Sequence, residues 1–134
     1  MRKSFLLAVC LLISFAGCAQ NSKQDSETKK IEYRKISAAE AKKMLDENPN
    51  VLLLDVRTEA EFRERRIPGA ILLPNNEVRT KAAEVLPDKD ALILVYCQSG
   101  RRSVNAALTL ISMGYTNVYD FGGITGWPYK TERD

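Results

Sequence analysis

Histidine is absent from the 134 residues. That excludes a His-ligated zinc site, a Ser-His-Asp triad and any imidazole general base. Aromatic residues are few, at 7%, and Lys and Arg are spread along the chain. No aromatic-interleaved basic patch marks a nucleic-acid binder, so nucleic acid is not expected as a partner. The net charge of +3 is small. The apolar run from Phe5 to Phe15 covers eleven positions, broken by Ser14, and falls short of the ~20 residues that span a bilayer as a helix. Cysteine is scarce and odd in number, with Cys10, Cys18 and Cys97. No Cys-x-x-Cys supplies a resolving thiol for disulfide exchange, and the odd count points to a free, reactive thiol. No metal site and no cofactor are expected. What remains is 45% hydrophobic and 28% charged, the balance of a globular protein. The length suits one ordinary domain with a short extra segment.

The extra segment lies at the N-terminus. Arg2 and Lys3 precede the apolar run, as in an export signal. Phe15-Ala16-Gly17-Cys18 resembles the bacterial lipoprotein signal, in which a cysteine after small residues is lipidated and becomes the new N-terminus. Phe15 stands where that pattern usually has an aliphatic residue. A competing site at Cys10 has bulky Val9 before it and apolar residues after it. The alternative is an ordinary cleaved signal with an incidental Cys18. The expectation is a signal peptide over 1–17 and a lipidated Cys18 with a flexible tether over 18–30. The protein would then be extracytoplasmic, with lipid on Cys18 anchoring it to a bacterial membrane. Residues 19–30, AQNSKQDSETKK, are almost wholly polar and cannot bury enough surface to offset chain entropy. A coil of that length separates domain and membrane by roughly 20 Å.

Residues 31–134 are expected to form the domain. Ile31 to Ile36 reads as a short first strand. Ser37 and Glu40 stand at N-cap and N3 of a capping box, with Ala41, Met44 and Leu45 at helical spacing after it. Asn48-Pro49 ends that helix. Val51 to Leu54 is a continuous apolar run, the mark of a strand buried on both faces. Thr58 and Glu61 repeat the capping box. Ile67-Pro68-Gly69-Ala70 turns into a strand at Ile71 to Leu73, and a weaker helix spans Glu77 to Val85. Ala91 to Tyr96 is a second buried strand. Val104, Ala107, Leu108 and Ile111 then mark one helix face, with Gly114 suited to C′. Asn117 to Tyr119 is the last strand. Strands alternating with helices predict an α/β domain with a mainly parallel sheet. Sites in such sheets form at the carboxyl ends of strands, near a topological switch point. Two strands end in polar residues, one at Asp55-Val56-Arg57 and the other at Cys97.

Cys97 is expected between a buried strand and a helix start. A cysteine reacts as the thiolate, which helix N-termini and cations favour. Gly100 allows the loop to turn with its N–H groups inward, and Arg101 and Arg102 follow. Such a nest of N–H groups beside a helix dipole suits a thiolate, a persulfide or an oxyanion. The competing reading is a buried cysteine acting as a small hydrophobe. For the arginine pair, a solvated helix start competes with an anion contact.

Leu54-Asp55-Val56-Arg57, Ile67-Pro68-Gly69-Ala70, Cys97-Gln98-Ser99-Gly100-Arg101-Arg102-Ser103 and Gly122-Gly123 with Trp127 together resemble the rhodanese family, in its order and spacing. The resemblance implies a three-layer fold: a five-stranded parallel sheet, in order 3-2-4-5-1, with helices on both faces. It implies that Cys97 takes a sulfane sulfur from thiosulfate or a polysulfide or persulfide donor. The Cys97 persulfide then passes it to a thiol or cyanide. Gln98, Ser99, Gly100, Arg101, Arg102 and Ser103 would form the loop that cradles the sulfur, with Arg101 and Arg102 attracting an anionic donor. Asp55 and Arg57 would support the site structurally, and Trp127 would pack. Gln98 stands where many members have Arg, and Arg66 where the family commonly has His.

Related phosphatases and arsenate reductases place Arg six residues after the cysteine. Here that residue is Ser103, and Tyr96 precedes the cysteine in place of their usual His. The shorter loop favours a single sulfur atom over a phosphate-sized group. The expected function is a monomeric sulfurtransferase. The alternative is a membrane-tethered module that binds or senses sulfur or an anion without turnover.

Overall fold

The computed structural model describes residues 32–134. The expected signal peptide, Cys18 and the tether lie outside the described residues. Five strands are present: β1 (Arg34–Lys35), β2 (Leu52–Asp55), β3 (Ile71–Leu72), β4 (Ile93–Cys97) and β5 (Val118–Gly123). Four α-helices accompany them: α1 (Ala38–Glu47), α2 (Glu59–Glu64), α3 (Val78–Val85) and α4 (Arg101–Ser112).

The strands form one sheet in the order β1-β5-β4-β2-β3, and every pairing is parallel. This is the expected 3-2-4-5-1 order read from the other edge. Both predicted capping boxes are present. Ser37 and Glu40 exchange side-chain and backbone hydrogen bonds at the start of α1, and Thr58 and Glu61 do so at the start of α2. Each box satisfies N–H groups that a helix start leaves without a partner.

Side chains along a strand alternate between faces, and β4 is buried on both. Ile93, Val95 and Cys97 join the cluster that includes Val78 and Ala82 of α3 and Ala106, Ala107 and Leu110 of α4. Leu94 and Tyr96 join Ala41 of α1, with Phe121 and Trp127. The sheet therefore lies between α1 and the pair α3 and α4, which makes three layers. Trp127 packs, as expected, 5.5 Å from Phe121 between ring centroids.

The central strands shift by one or two residues from the expected ranges, and three other boundaries differ more. The first strand covers Arg34–Lys35, the two described residues that take ladder positions beside β5, at Tyr119 and Asp120. A 3-10 turn at Asn75–Glu77 precedes α3. The last strand runs beyond Tyr119 to Gly123, because a bulge keeps it paired. Val95 faces Asp120 while Cys97 faces Gly123, so β5 carries an extra residue there. Bulges of this kind re-aim backbone beside sites. Gly122, at φ +91°, supplies the left-handed backbone that the bulge uses.

Candidate active site

Adjacent β2 and β4 end side by side, with Asp55 paired to Tyr96. Cys97 is the last residue of β4 and is 1% exposed. The chain then turns within Gln98-Ser99-Gly100 and enters α4. Gly100 occupies the N-cap position with φ +102°, a conformation with little strain for glycine alone. That turn aims the Gly100 N–H at the cysteine, and it donates to Cys97 Sγ at 3.0 Å. The same sulfur stands four residues before Arg101, the first residue of a twelve-residue helix, where the helix dipole presents positive potential.

The loop is held from behind by the bulged end of β5. Ser103 Oγ donates to Gly100 O at 3.0 Å and to Gly122 O at 3.2 Å. Thr125 donates to Gln98 O through its N–H at 3.3 Å and its hydroxyl at 3.1 Å. Gly123 comes so close that a Cβ there would lie 2.2 Å from Gln98 O. Asp120 fixes the bulge. Its carboxylate accepts from Gly122 N at 2.9 Å and from the Tyr33 hydroxyl at 2.5 Å. Burial, reinforced by Asp120, holds the Tyr33 hydroxyl well above its ordinary titration range.

Two ion pairs flank the cysteine. Asp55 and Arg57 are almost completely buried, at 0% and 2% exposure. Arg57 Nη2 meets Asp55 Oδ2 at 2.7 Å, and Arg57 Nε meets both carboxylate oxygens, at 3.0 and 3.2 Å. Arg57 also donates to the Arg65 carbonyl at 2.5 Å and to Gln98 Oε1 at 3.3 Å. Burial pushes the Arg57 guanidinium down, but the hydrogen bonds and charge of Asp55 outweigh it and leave the group above its ordinary value. The pair is buried and reaches the loop through Gln98.

Arg102, expected with Arg101 to attract an anionic donor, is paired with an acid. Its Nη1 and Nη2 each meet a carboxylate oxygen of Glu61 at 2.8 Å. Arg102 chiefly, with Thr58 assisting, holds the Glu61 carboxyl at about 2, against an ordinary 4.5. Arg101 is exposed in the first turn of α4 and forms no ion pair among the described residues. Ser99 is exposed at the loop tip. Tyr96 is turned away: its hydroxyl accepts from Ile67 N at 3.2 Å, and burial, with Asp55, pushes it above its ordinary range.

A cavity of about 400 Å³ opens on one side of the loop, lined by Arg57, Glu61, Glu64, Arg65, Gln98 and Ile124. A second, of about 290 Å³, is bordered by Arg57, Pro74, Asn75 and Arg102. Arg57 thus borders both. Glu61 was read from the sequence only as a helix cap, and Asp120 and Tyr33 carried no signal. Their roles depend on tertiary neighbours 41 and 87 positions away. Arg66, at the usual histidine position, ties down the C-terminal residues. It pairs with the Glu132 backbone and meets Asp134 at 2.7 Å.

A family model for the rhodanese-like domain matches residues 37–129. Among curated proteins, the thiosulfate sulfurtransferase PspE of Escherichia coli is 39% identical over 71 residues, covering 53% of this chain and 68% of that protein. A sulfurtransferase of Allochromatium vinosum is 38% identical over 84 residues, covering 62% of this chain and 77% of its own. Among solved structures, an E. coli rhodanese with anions superposes with a TM-score of 0.59 at 33% identity, covering 63% of this chain and 99% of that one. A rhodanese-related protein of Thermoplasma volcanium gives a TM-score of 0.67 at 30% identity, covering 76% and 100% respectively.

Proposed function

The chain belongs to the rhodanese family and is a rhodanese-type sulfurtransferase, and from that premise we propose that Cys97 carries the sulfur. The Cys97 thiolate attacks the outer sulfur of thiosulfate or of a polysulfide or persulfide donor. A new S–S bond forms at Sγ, the donor's S–S bond breaks, and the leaving group departs with the electron pair: sulfite from thiosulfate, a thiolate from a persulfide. A thiol or cyanide then attacks the outer sulfur of the Cys97 persulfide. The thiolate of Cys97 returns, and the acceptor leaves as a persulfide or as thiocyanate.

The observation that carries this reading is the Gly100 N–H aimed at Cys97 Sγ. A fixed donor beside a sulfur stabilises negative charge there without reorganisation during reaction. With no histidine in the chain, no imidazole base is used. Gly100, the start of α4 and the backbone turn between them supply the environment. Ser103 and Gly123 hold that turn against β5. Arg57 orients Gln98.

The test is thiocyanate formation from thiosulfate and cyanide, and persulfide formation on a small thiol. Cys97→Ser should abolish both and leave the fold intact. Many turnovers per molecule support the enzyme. A single stable sulfur per molecule without release would instead indicate the non-turnover binding module. Full activity in Cys97→Ser would exclude the mechanism.

We propose, too, that residues 1–17 form a signal peptide and that Cys18 carries lipid, tethering the domain at an extracytoplasmic membrane surface. The support is the apolar run ending in Ala16-Gly17-Cys18 and the polar stretch after it. Cys18→Ser should move the protein from the membrane fraction to the soluble fraction of cells that express it. Unchanged membrane association would refute the anchor.

A further inference from the structure

Resting on the sulfurtransferase reading, we infer that Glu61 sets the charge of the donor that this site accepts, favouring singly charged sulfane-sulfur donors over the thiosulfate dianion. The argument begins from how the charges around the loop are already paired. Arg57 is held by the buried Asp55 carboxylate. Arg102, the last basic residue of the loop, is gripped at both nitrogens by Glu61. The adjoining cavity adds one acid and one base, Glu64 and Arg65. Counting Asp55, Glu61 and Glu64 against Arg57, Arg102, Arg65 and Arg101 leaves one net positive charge in this group, with Arg101 exposed at the first turn of α4. One cation matches a donor carrying one negative charge.

A dianion whose leaving group is sulfite, also a dianion, needs a second cation. The nearest in the loop is Arg102, and Glu61 already occupies the two nitrogens a donor oxygen would use. Glu61 is itself hard to displace. Its Oε2 also accepts from Thr58 N at 2.9 Å and from the Thr58 hydroxyl at 3.0 Å, so the capping box of α2 fixes the carboxylate that holds Arg102. Glu61 thus acts through Arg102 as a built-in competing anion. It is a positioning residue, since the carboxylate need not touch the reacting sulfur.

The experiment compares how fast the purified protein gains one sulfur atom, by intact mass, from thiosulfate and from benzenethiosulfonate. Both reactions form the same persulfide on Cys97. The first releases sulfite, and the second, a singly charged donor, releases benzenesulfinate. The informative variant is Glu61→Gln. An amide oxygen in place of Oε2 preserves both bonds from Thr58. The amide nitrogen in place of Oε1 opposes Arg102 Nη2, so Arg102 keeps one neutral contact through Nη1 and loses its opposing charge. Loading from thiosulfate should rise about fivefold, the upper end for a partly exposed ion pair, while benzenethiosulfonate changes less than about twofold.

Thr58→Ala is the structural control. It removes the hydroxyl bond to Glu61 Oε2 while keeping the carboxylate and the bond from Thr58 N, and it should move the ratio of the two rates less than Glu61→Gln does. The inference is overturned if Glu61→Gln leaves that ratio where it was, or if Thr58→Ala moves it as far. If the parent protein loads sulfur from neither donor, the sulfurtransferase reading falls as well. If it loads sulfur normally and only the ratio fails to respond, the reading stands and the role of Glu61 alone is lost.

Discussion

Removing Asp55 isolates the energetics on which the site is built. In Asp55→Ala, Arg57 keeps its burial at 2% exposure but loses the carboxylate that receives its Nε and Nη2 and its own backbone N–H. The remaining acceptors, the Arg65 carbonyl and Gln98 Oε1, are neutral. Stranding one member of a buried pair costs about 3–5 kcal/mol, because a charge stays desolvated without compensation. With a urea slope of about 1–3 kcal/mol per M for a small domain, the unfolding midpoint should fall by roughly 2 M. The assay is urea denaturation followed by circular dichroism. A second variant separates stability from positioning. Asp55→Leu combined with Arg57→Met replaces the pair by apolar groups and should recover most of the loss. Sulfur transfer should stay impaired, since nothing then holds the Gln98 side chain. A destabilisation below about 1 kcal/mol in Asp55→Ala would refute the argument that this pair is desolvated and mutually dependent.

Acid should weaken the Glu61–Arg102 contact in a defined window. Because the folded carboxyl titrates at about 2 rather than 4.5, its stabilisation is complete above the ordinary value. It is lost as pH falls from there through about 2. The pair is about one-third exposed, so the loss is under about 1 kcal/mol. Stability against pH should flatten over that window in Glu61→Gln, and an unchanged slope would count against the contact. Gly123→Ala drives a Cβ into the Gln98 carbonyl. Overpacking of that kind costs about 1–3 kcal/mol, and it should slow sulfur loading because the displaced backbone is the loop that follows Cys97. Normal loading and normal stability would show that β5 does not brace the loop. Gly100→Ala forces a side chain into a left-handed N-cap, which costs about 1–2 kcal/mol. It should slow loading on Cys97 as the N–H swings away from Sγ, and undiminished loading would show that this donor is dispensable.

Much of the frame was legible because it rests on local chemistry. Ser37 with Glu40 and Thr58 with Glu61 announced two helix starts, and both boxes formed. The unbroken apolar runs before Asp55 and Cys97 announced two central strands, which pair with each other. The Gly100 turn after a strand announced a backbone nest, and its N–H does face the sulfur. What stayed hidden depends on meetings between distant elements. The sequence placed Glu61 on a helix start but gave no sign that the carboxylate would meet Arg102 on another helix. The last strand was expected to stop at Tyr119, because nothing local marks the bulge that carries it on past Asp120 to Gly123. The first strand was expected over Ile31 to Ile36 from its strand-like composition, whereas among the described residues Arg34 and Lys35 alone take ladder positions beside β5.

The most direct measurement is peptide mass spectrometry of the protein after exposure to a sulfane-sulfur donor, before and after adding cyanide. The peptide containing Cys97 should gain one sulfur atom, lose it on cyanide addition, and yield an equal amount of thiocyanate, while Cys97→Ser gains none. Thiocyanate formed at the same rate with no sulfur ever found on Cys97 would show that the sulfur travels by another route.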